Sequence, residues 1–215
     1  PNFDGHGFLS EAEAKGAAGA LVSRKLPTSL PTITVADTRL ALGRLAAHWR
    51  AQFSIPLVAV TGSNGKTTVK NMLAAILAES GTGLATQGNL NNDIGVPLTL
   101  LRLKRGDRYA VIEMGMNHPG EIDYLTQLAR PTVALITNAG EAHLAGLGSV
   151  AAVARAKGEI FSGLQHDGIA VINADDAYAG LWRQLAAPHR CLTFGMDHPA
   201  DVSAECTLAI TGSVV

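Results

Sequence analysis

The chain has 215 residues, 47% of them hydrophobic, which is enough for one large domain, or a domain and a half, with a core of ordinary size. Its 17 Lys and Arg residues are matched by 18 Asp and Glu, so no basic surplus indicates a nucleic-acid partner and any anionic ligand must be bound locally. No apolar run approaches the roughly 20 residues of a membrane span, no signal peptide opens the sequence, and the cysteines lack metal-ligand spacing, so we expect a cytoplasmic protein that does not insert into membranes.

The amino-terminal region, residues 1–36, is rich in turns and is predicted to contain a short helix and extended runs at residues 20–22 and 32–35. Asp37 is a predicted N-cap for a second helix, which ends before a linker at residues 54–56. The apolar positions of that helix are Leu42, Leu45, Ala46 and Trp49.

An apolar run at residues 57–60 leads into the sequence TGSNGKTT at residues 61–68, which predicts a phosphate-binding loop between a buried strand and a helix. Two glycines let backbone amides face inward, and the helix that opens at Thr67 adds the positive end of its dipole. We expect Lys66 to meet the outer phosphates of a nucleotide and the Thr67 hydroxyl to meet a magnesium ion. The predicted nucleotide contacts are Gly62, Ser63, Asn64, Gly65, Lys66, Thr67 and Thr68.

This loop is a shortened variant, because the usual pattern has glycine at the position of Val60 and the nearer glycine here is Gly62. Its support comes from the strand before it and the helix after it. The helix is predicted to bury one face, formed by Val69, Met72, Leu73, Ile76 and Leu77. The less favoured alternative is an ordinary strand-to-helix turn with an incidental lysine.

Two polar loops supply candidate ligand contacts. Asp4 and His6 lie in a glycine-rich loop near the start of the chain, although a loop histidine is more often a turn residue. Asn89, Asn91 and Asn92 lie in a long loop after a short predicted strand. Their density favours substrate contact, with turn chemistry alone as the alternative.

Two later strands end on chemically useful residues. The buried strand at residues 108–115 carries Glu113 at its carboxyl end, where proteins with a phosphate-binding loop place an acid linked to magnesium. The alternative is a glutamate that only faces a helix. The strand at residues 132–138 runs into a glycine loop with His143, which is suited to ligate a metal or to orient a phosphate. The histidine taken alone does not decide between these roles and none.

Lys157 has an unusual position in the helix that begins at Ser149, because it falls on the apolar stripe. The stripe consists of Val150, Val153, Ala154, Ile160, Phe161 and Leu164. A lone lysine there commonly extends its ammonium to solvent. Otherwise Lys157 is held among other charges, or is neutral enough to be chemically modified, since a desolvated amine loses its proton more easily.

The remaining residues continue the alternation of strands and helices, with Asp175 and Asp176 as candidate caps. We therefore predict an α/β fold: a mostly parallel sheet flanked by helices and carrying a phosphate-binding loop, preceded by part of a smaller α/β domain.

Taken together, these stretches resemble the Mur ligase family over nearly the whole chain. The resemblance is carried by residues 2–6, 61–68, 88–97, 113–122, 137–144 and 154–161. It implies an ATP-dependent ligase of peptidoglycan synthesis, which activates the terminal carboxylate of UDP-N-acetylmuramoyl-tripeptide as an acyl phosphate. The amine of D-alanyl-D-alanine then attacks, which gives an amide, ADP and phosphate.

The resemblance also implies roles for individual residues. Lys66 holds the transferring phosphate, Thr67 and Glu113 belong to one Mg²⁺ site, and His143 belongs to a second. Lys157 matches a lysine that family members carry as a carbamate, an anion able to interact with magnesium. The loop that carries Asn89, Asn91 and Asn92, here called the asparagine loop, would contact the muramoyl-peptide substrate.

For the domains, the resemblance implies that residues 1–54 are the later part of an amino-terminal domain that binds the uridine nucleotide. Residues 55–215 are an incomplete central ATP-binding domain, and the carboxy-terminal domain is absent. We therefore expect that this chain does not complete the ligation by itself. Separately, we expect a monomer. The alternatives are another Mur-type or folylpolyglutamate-type ligase, or a nucleotide-binding module or kinase with the same loop. A kinase needs a base near Lys66 and has no use for Lys157 on a buried face.

Overall fold

A computed structural model of the chain describes residues 4–141, 144–205, 207–209 and 212–214. After a 3₁₀ turn (Gly5–Phe8), the amino-terminal region contains α1 (Leu9–Ala14), β1 (Ala20–Val22) and β2 (Thr32–Thr34), and the two strands pair in parallel. Helix α2 (Thr38–Arg50) follows, and the Asp37 carboxylate accepts from the amides of its first turn. The predicted extended runs and the predicted N-cap are confirmed.

The rest of the chain builds one seven-stranded sheet with helices on both faces. Its strands are β3 (Leu57–Thr61), β4 (Leu84–Ala85), β5 (Ala110–Glu113), β6 (Val133–Ile136), β7 (Ile169–Asn173), β8 (Arg190–Gly195) and β9 (Val202–Ser203). The helices are α3 (Lys66–Ala78), α4 (Gly95–Leu100), α5 (Glu121–Ala129), α6 (Leu144–Leu147), α7 (Val150–Gly158) and α8 (Ala179–Leu185). A hairpin of β10 (Thr207–Ala209) and β11 (Gly212–Val214) comes last.

The sheet has the order β4-β5-β3-β6-β7-β8-β9, and every pairing in it is parallel. The predicted α/β fold is confirmed. The chain fills the positions on one side of β3 with β4 and β5 and then crosses to the other side with β6. Ligands of open parallel sheets bind where the strand order reverses, outside the carboxyl ends of the strands. The fold therefore predicts a ligand site at the carboxyl ends of β3, β5 and β6.

The buried face of α3 is narrower than the sequence predicts. Val69, Leu73 and Leu77 pack toward the sheet, as predicted, but Met72 and Ile76 are 61% and 68% exposed. Helical spacing shows which residues share a side of a helix, but the width of the covered strip depends on the neighbouring elements.

Helix α2 also differs from its predicted apolar face. Leu45 and Trp49 are exposed, whereas Gly43, Ala46 and Arg50 are buried. Because a Cβ at Gly43 would overlap with the Tyr124 hydroxyl of α5, glycine permits this close approach. Among the residues described above, no helix is long and apolar enough to cross a bilayer.

Candidate active site

The predicted phosphate-binding loop lies at the carboxyl end of β3 and requires glycine at two positions for different reasons. Gly62 has a φ of 156°, and a Cβ there would overlap with Thr137 Oγ1 of the neighbouring strand end. Gly65 has a φ of 78° with open space around it, and it is the N-cap of α3. Gly62 is needed because the neighbouring strand end packs so closely against it, and Gly65 is needed because its backbone is left-handed.

The loop is fixed by the end of β6. The Asn138 side chain binds the backbone of Asn64 twice, because Oδ1 accepts from the Asn64 amide at 2.9 Å and Nδ2 donates to the Asn64 carbonyl at 3.1 Å. Thr137 Oγ1 donates to the same carbonyl at 2.7 Å, and the Ser63 hydroxyl accepts from the Gly140 amide at 2.8 Å. These bonds hold one side of the loop to the adjacent strand and occupy the Asn64 amide.

The next four amides, those of residues 65–68, make no hydrogen bond to any residue in the described part of the chain. They belong to the cap and first turn of α3, which has no preceding turn to accept from them. Consecutive free amides at the positive end of a helix of 13 residues form an anion site.

Lys66 lies over this site. Its ammonium donates to the carbonyls of Gly62 at 2.7 Å and Ser63 at 3.3 Å, so the side chain folds back across the loop. Burial lowers the pKa of Lys66, and the nearby charge of Glu113 opposes that shift. The ammonium is thus held beside the free amides, where it adds positive charge to the anion site.

Glu113 is buried at the end of β5, and the structure brings it to Thr67. Its Oε2 accepts from the Thr67 hydroxyl at 2.9 Å, and its Oε1 accepts from the Asn91 amide at 2.8 Å. Its backbone amide donates to the Thr86 hydroxyl at 3.0 Å. Lys70 Nζ lies 3.8 Å from Oε2.

The Thr67–Glu113 pair fits the oxygen chemistry of Mg²⁺, which binds proteins through one or two carboxylates and completes its shell with phosphate oxygens and water. Within the described ranges, no group of three or more His, Cys, Asp or Glu side chains is arranged to hold a metal. Because the pair supplies one hydroxyl and one carboxylate, it is suited to a cation that arrives with a nucleotide, whose phosphate oxygens would add further ligands.

Lys157 is buried on α7, as its position on the apolar stripe predicts, with only 1% of its surface exposed. Burial lowers its pKa to about 7, and the positive charge of Lys66 acts in the same direction. Among the side chains that the structure describes, no carboxylate forms an ion pair with it. A substantial fraction of this amine is thus uncharged near neutral pH.

A cleft of about 690 Å³ opens beside Lys66. Its lining includes Asn91 and Asn92, Arg39 of α2 and Tyr124 of α5. Asn92 Oδ1 also accepts from the Gly95 amide at the start of α4, at 2.8 Å. Two of the predicted asparagines therefore border the cleft, and one of them also binds Glu113.

The other predicted residues have different surroundings. Asn89 accepts from the Asn91 amide through its carbonyl, at 2.7 Å, and does not line the cleft. Asp4 and His6 do not line it either: His6 Nε2 accepts from the Ser23 amide at 3.0 Å, and Asp4 pairs with His6 and Arg24. The His6 and Arg24 hydrogen bonds hold the pKa of the Asp4 carboxyl well below its usual range. His143 lies outside the described residues.

Several residues of the site were not found by sequence reasoning. Lys70 follows Lys66 by four residues on α3, and this spacing is a signal that both side chains leave one side of the helix. Asn138 follows the end of β6 by two residues, at the same edge of the sheet as Glu113, and this position after a strand could have been recognised in the sequence. Glu159 had no such signal, although its carboxylate accepts from the Gly120 amide at the start of α5, at 2.8 Å.

Comparisons with known proteins agree with this geometry. The family model of the Mur ligase middle domain matches residues 60–212. The UDP-N-acetylmuramoyl-tripeptide–D-alanyl-D-alanine ligase of Escherichia coli (strain K12) is 58% identical over 192 residues, which are 89% of this chain and 42% of that enzyme.

Two solved structures are similar to this chain over nearly all of its length. MurF from Acinetobacter baumannii has a TM-score of 0.92 at 40% identity and covers 100% of this chain, which spans 49% of it. MurF from Thermotoga maritima, solved in complex with ADP, has a TM-score of 0.85 at 32% identity and covers 98% of this chain, which spans 49% of it. The chain thus spans about half the length of these relatives. Because the family model covers well over half of the sequence, the chain belongs to the Mur ligase family.

Proposed function

We propose that this chain is the nucleotide-binding part of an ATP-dependent ligase that joins D-alanyl-D-alanine to UDP-N-acetylmuramoyl-tripeptide in peptidoglycan synthesis. The observation that carries the proposal is the convergence of free loop amides, Lys66 and the Thr67–Glu113 pair at one edge of the sheet. Similarity to relatives that bear this name supports the choice of substrates.

In this reaction the first task is to bring two anions together. The γ-phosphate of ATP is transferred to the tripeptide carboxylate, which forms an acyl phosphate and releases ADP. The amides of residues 65–68 bind phosphate oxygens, and the Lys66 ammonium leaves the loop carbonyls to neutralise the charge that develops on the transferring group. The dipeptide amine then attacks the acyl carbon, phosphate leaves, and the amine loses a proton.

The Thr67 hydroxyl and the Glu113 carboxylate would hold a Mg²⁺ ion together with the nucleotide phosphates. Such an ion supplies positive charge between the phosphates and the incoming carboxylate. His143 is assigned to a second ion by the family resemblance alone. The contribution of the chain here is a pair of oxygen ligands that are already in contact.

We assign Lys157 the role of a carbamate. Carbon dioxide adds to the uncharged amine, with loss of one proton, and leaves a carboxylate on nitrogen. The supporting observations are burial, a pKa of about 7, and the absence of an ion-pairing carboxylate in the described chain. The resulting anion would face the cations of the site.

The cleft beside Lys66 is proposed to receive the muramoyl-peptide, with Asn91 and Asn92 among its lining residues. Asn89, Asp4 and His6 remain predicted substrate contacts on the strength of the resemblance. Residues 1–54 are proposed to belong to a uridine-nucleotide domain and residues 55–215 to the ATP-binding domain. We also propose a cytoplasmic monomer, in keeping with the soluble substrates.

The test uses the complete protein with ATP, Mg²⁺ and UDP-N-acetylmuramoyl-tripeptide. We expect phosphate release that depends on D-alanyl-D-alanine. The product should be heavier than UDP-N-acetylmuramoyl-tripeptide by the mass of D-alanyl-D-alanine less one water. Phosphate release that requires another amino acid, or glutamate with a folate, would identify a different ligase of the superfamily. Phosphorylation of a hydroxyl group without amide formation would replace the proposal with a kinase.

A further inference from the structure

Lys70 is a buried cation to which the proposed reaction gives no role. It lies on α3 one turn after Lys66, and its side chain is 4% exposed. A buried ammonium is costly unless an opposite charge faces it. Within the described ranges, Glu113 is the carboxylate that pairs with it, with 3.8 Å between Nζ and Oε2 and a side chain that is 3% exposed.

The other partners of Glu113 fix its direction but do not balance its charge. The Thr67 hydroxyl and the Asn91 amide are neutral donors, one to each carboxylate oxygen. The charge of Lys66 also acts on Glu113, but its ammonium donates to loop carbonyls and forms no ion pair with this carboxylate. Among the described residues, Lys70 is therefore the cation that forms an ion pair with this carboxylate. The attraction is weakly screened, because both side chains are almost completely shielded from water.

We propose that Lys70 is a positioning residue that balances the charge of Glu113 and holds this carboxylate against the Thr67 hydroxyl before any divalent cation binds. The link to Mg²⁺ rests on the proposed function, whereas the ion pair itself does not. If Lys70 is removed, Glu113 keeps its buried position but loses its ion-pair partner. A divalent cation then becomes the means of restoring the charge balance.

The pair is tested by a double-mutant cycle in the complete protein, in buffer with EDTA. The variants are Lys70→Met, Glu113→Gln and both together, and the measured quantity is the equilibrium constant for folding from denaturant titration. We expect Lys70→Met to lower this constant by about 100-fold or more, because it leaves a buried charge unpaired. In the Glu113→Gln background the same change should cost less than about tenfold. Equal costs in both backgrounds would overturn the proposal.

The cycle stays informative if Lys70→Met does not fold. Recovery of folding in the double variant would support the proposal, since replacing the Glu113 carboxylate removes the unpaired buried charge. If the double variant is also unfolded while Glu113→Gln alone is folded, the cost came from lost packing of the lysine stem, and the proposal is wrong. Lys70→Arg keeps the charge and is the matched control, with a constant close to that of the unchanged protein.

A second measurement connects the pair to the metal. Thermal unfolding is followed with EDTA and with Mg²⁺ alone, and we expect Mg²⁺ to raise the midpoint more in Lys70→Met than in the unchanged protein or in Lys70→Arg. An equal shift in all three would refute the role in charge balance. A failed ligation assay together with an intact cycle would remove the proposed function and leave the positioning role, and the reverse result would do the opposite.

Discussion

At the scale of single residues, Lys157 is where burial has the clearest chemical effect. The folded state lowers the pKa of its amine from 10.5 to about 7, so between these values the unfolded chain binds a proton that the folded chain does not. Stability contributed by this group therefore rises with pH across that interval, at up to about 1.4 kcal/mol per pH unit. Below about pH 7 the penalty is complete and constant.

We predict that Lys157→Met increases the free energy of unfolding at pH 7 by a few kcal/mol in buffer free of carbon dioxide, because an apolar side chain replaces a desolvated amine. The gain should shrink as the pH approaches 10. Denaturant titrations at pH 7, 8 and 9 measure it. A gain that is independent of pH would show that Lys157 titrates normally in the folded protein.

The same residue is decisive for activity under the proposed function. We expect Lys157→Ala in the complete protein to lose most of its ligase activity, about 100-fold or more, and to recover part of it when a short-chain carboxylic acid is added to replace the carbamate. Steady-state phosphate release is the readout, and Arg155→Ala, which changes an exposed cation on the same helix, is the control. Unchanged activity in Lys157→Ala would contradict the assignment.

Gly62 shows how tightly the loop packs on its neighbour. We predict that Gly62→Ala destabilises the fold by about 2 to 4 kcal/mol, because its Cβ would overlap with Thr137 Oγ1 at a positive φ. The free energy of unfolding measures the effect. Gly106→Ala, at a position with open space and ordinary φ, is the matched control and should change stability by less than about 1 kcal/mol.

At the scale of elements, the phosphate-binding loop depends on β6 as much as on β3 and α3. The two hydrogen bonds between Asn138 and the Asn64 backbone hold the loop in the form that leaves the next amides free. We predict that Asn138→Ala weakens ADP binding about 10-fold or more, with a smaller effect on the thermal midpoint. Isothermal titration calorimetry with ADP and Mg²⁺ measures it.

Asn173→Ala is the comparison for that experiment. Asn173 also donates to the backbone of this region, to the Thr137 carbonyl at 2.9 Å, but has no bond to the loop. We expect its ADP affinity to stay within a few-fold of the unchanged protein. Equal losses in both variants would mean that the general order of the strand ends sets nucleotide affinity. The two hydrogen bonds between Asn138 and the Asn64 backbone would then have no specific effect.

At the scale of the whole molecule, Arg50 joins α2 to the end of α5 and to the segment that precedes β3. This buried guanidinium donates to the carbonyls of Phe53 and Ile55 and, at 3.0 Å, to that of Ala129 at the end of α5. One planar side chain thus binds three carbonyls in two segments, the stretch before β3 and the end of α5. The helix also contributes Arg39 to the cleft, where it pairs with Asp93 of the asparagine loop.

We predict that Arg50→Lys costs about 2 to 4 kcal/mol of unfolding free energy and speeds hydrogen exchange along α2, since an ammonium cannot reach all three carbonyls. Arg44→Lys, on the exposed side of the same helix, should change neither measurement. Faster exchange confined to the ends of α2 in both variants would show that the helix is held by its apolar contacts alone.

The sequence by itself determined the fold class and the centre of the site. Strand and helix periods, the glycine turn at residues 61–68 and the acid at the end of β5 are local patterns, and a local pattern constrains the backbone wherever the segment lies. Lys157 was also readable, because a charge on an apolar stripe contradicts its surroundings. The domain boundary and the roles given to His143 and the substrate contacts stay predictions.

Only the tertiary structure decided which neighbours complete these patterns. The exposure of Met72 and Ile76 depends on how much of α3 the sheet covers. The hydrogen bonds from Asn138 to the Asn64 backbone form only because β6 lies beside β3. The pairing of Lys70 with Glu113 joins positions 43 residues apart in the sequence. Such contacts arise from the order of strands in the sheet, which no single segment encodes, because pairing is a property of two elements and the space between them.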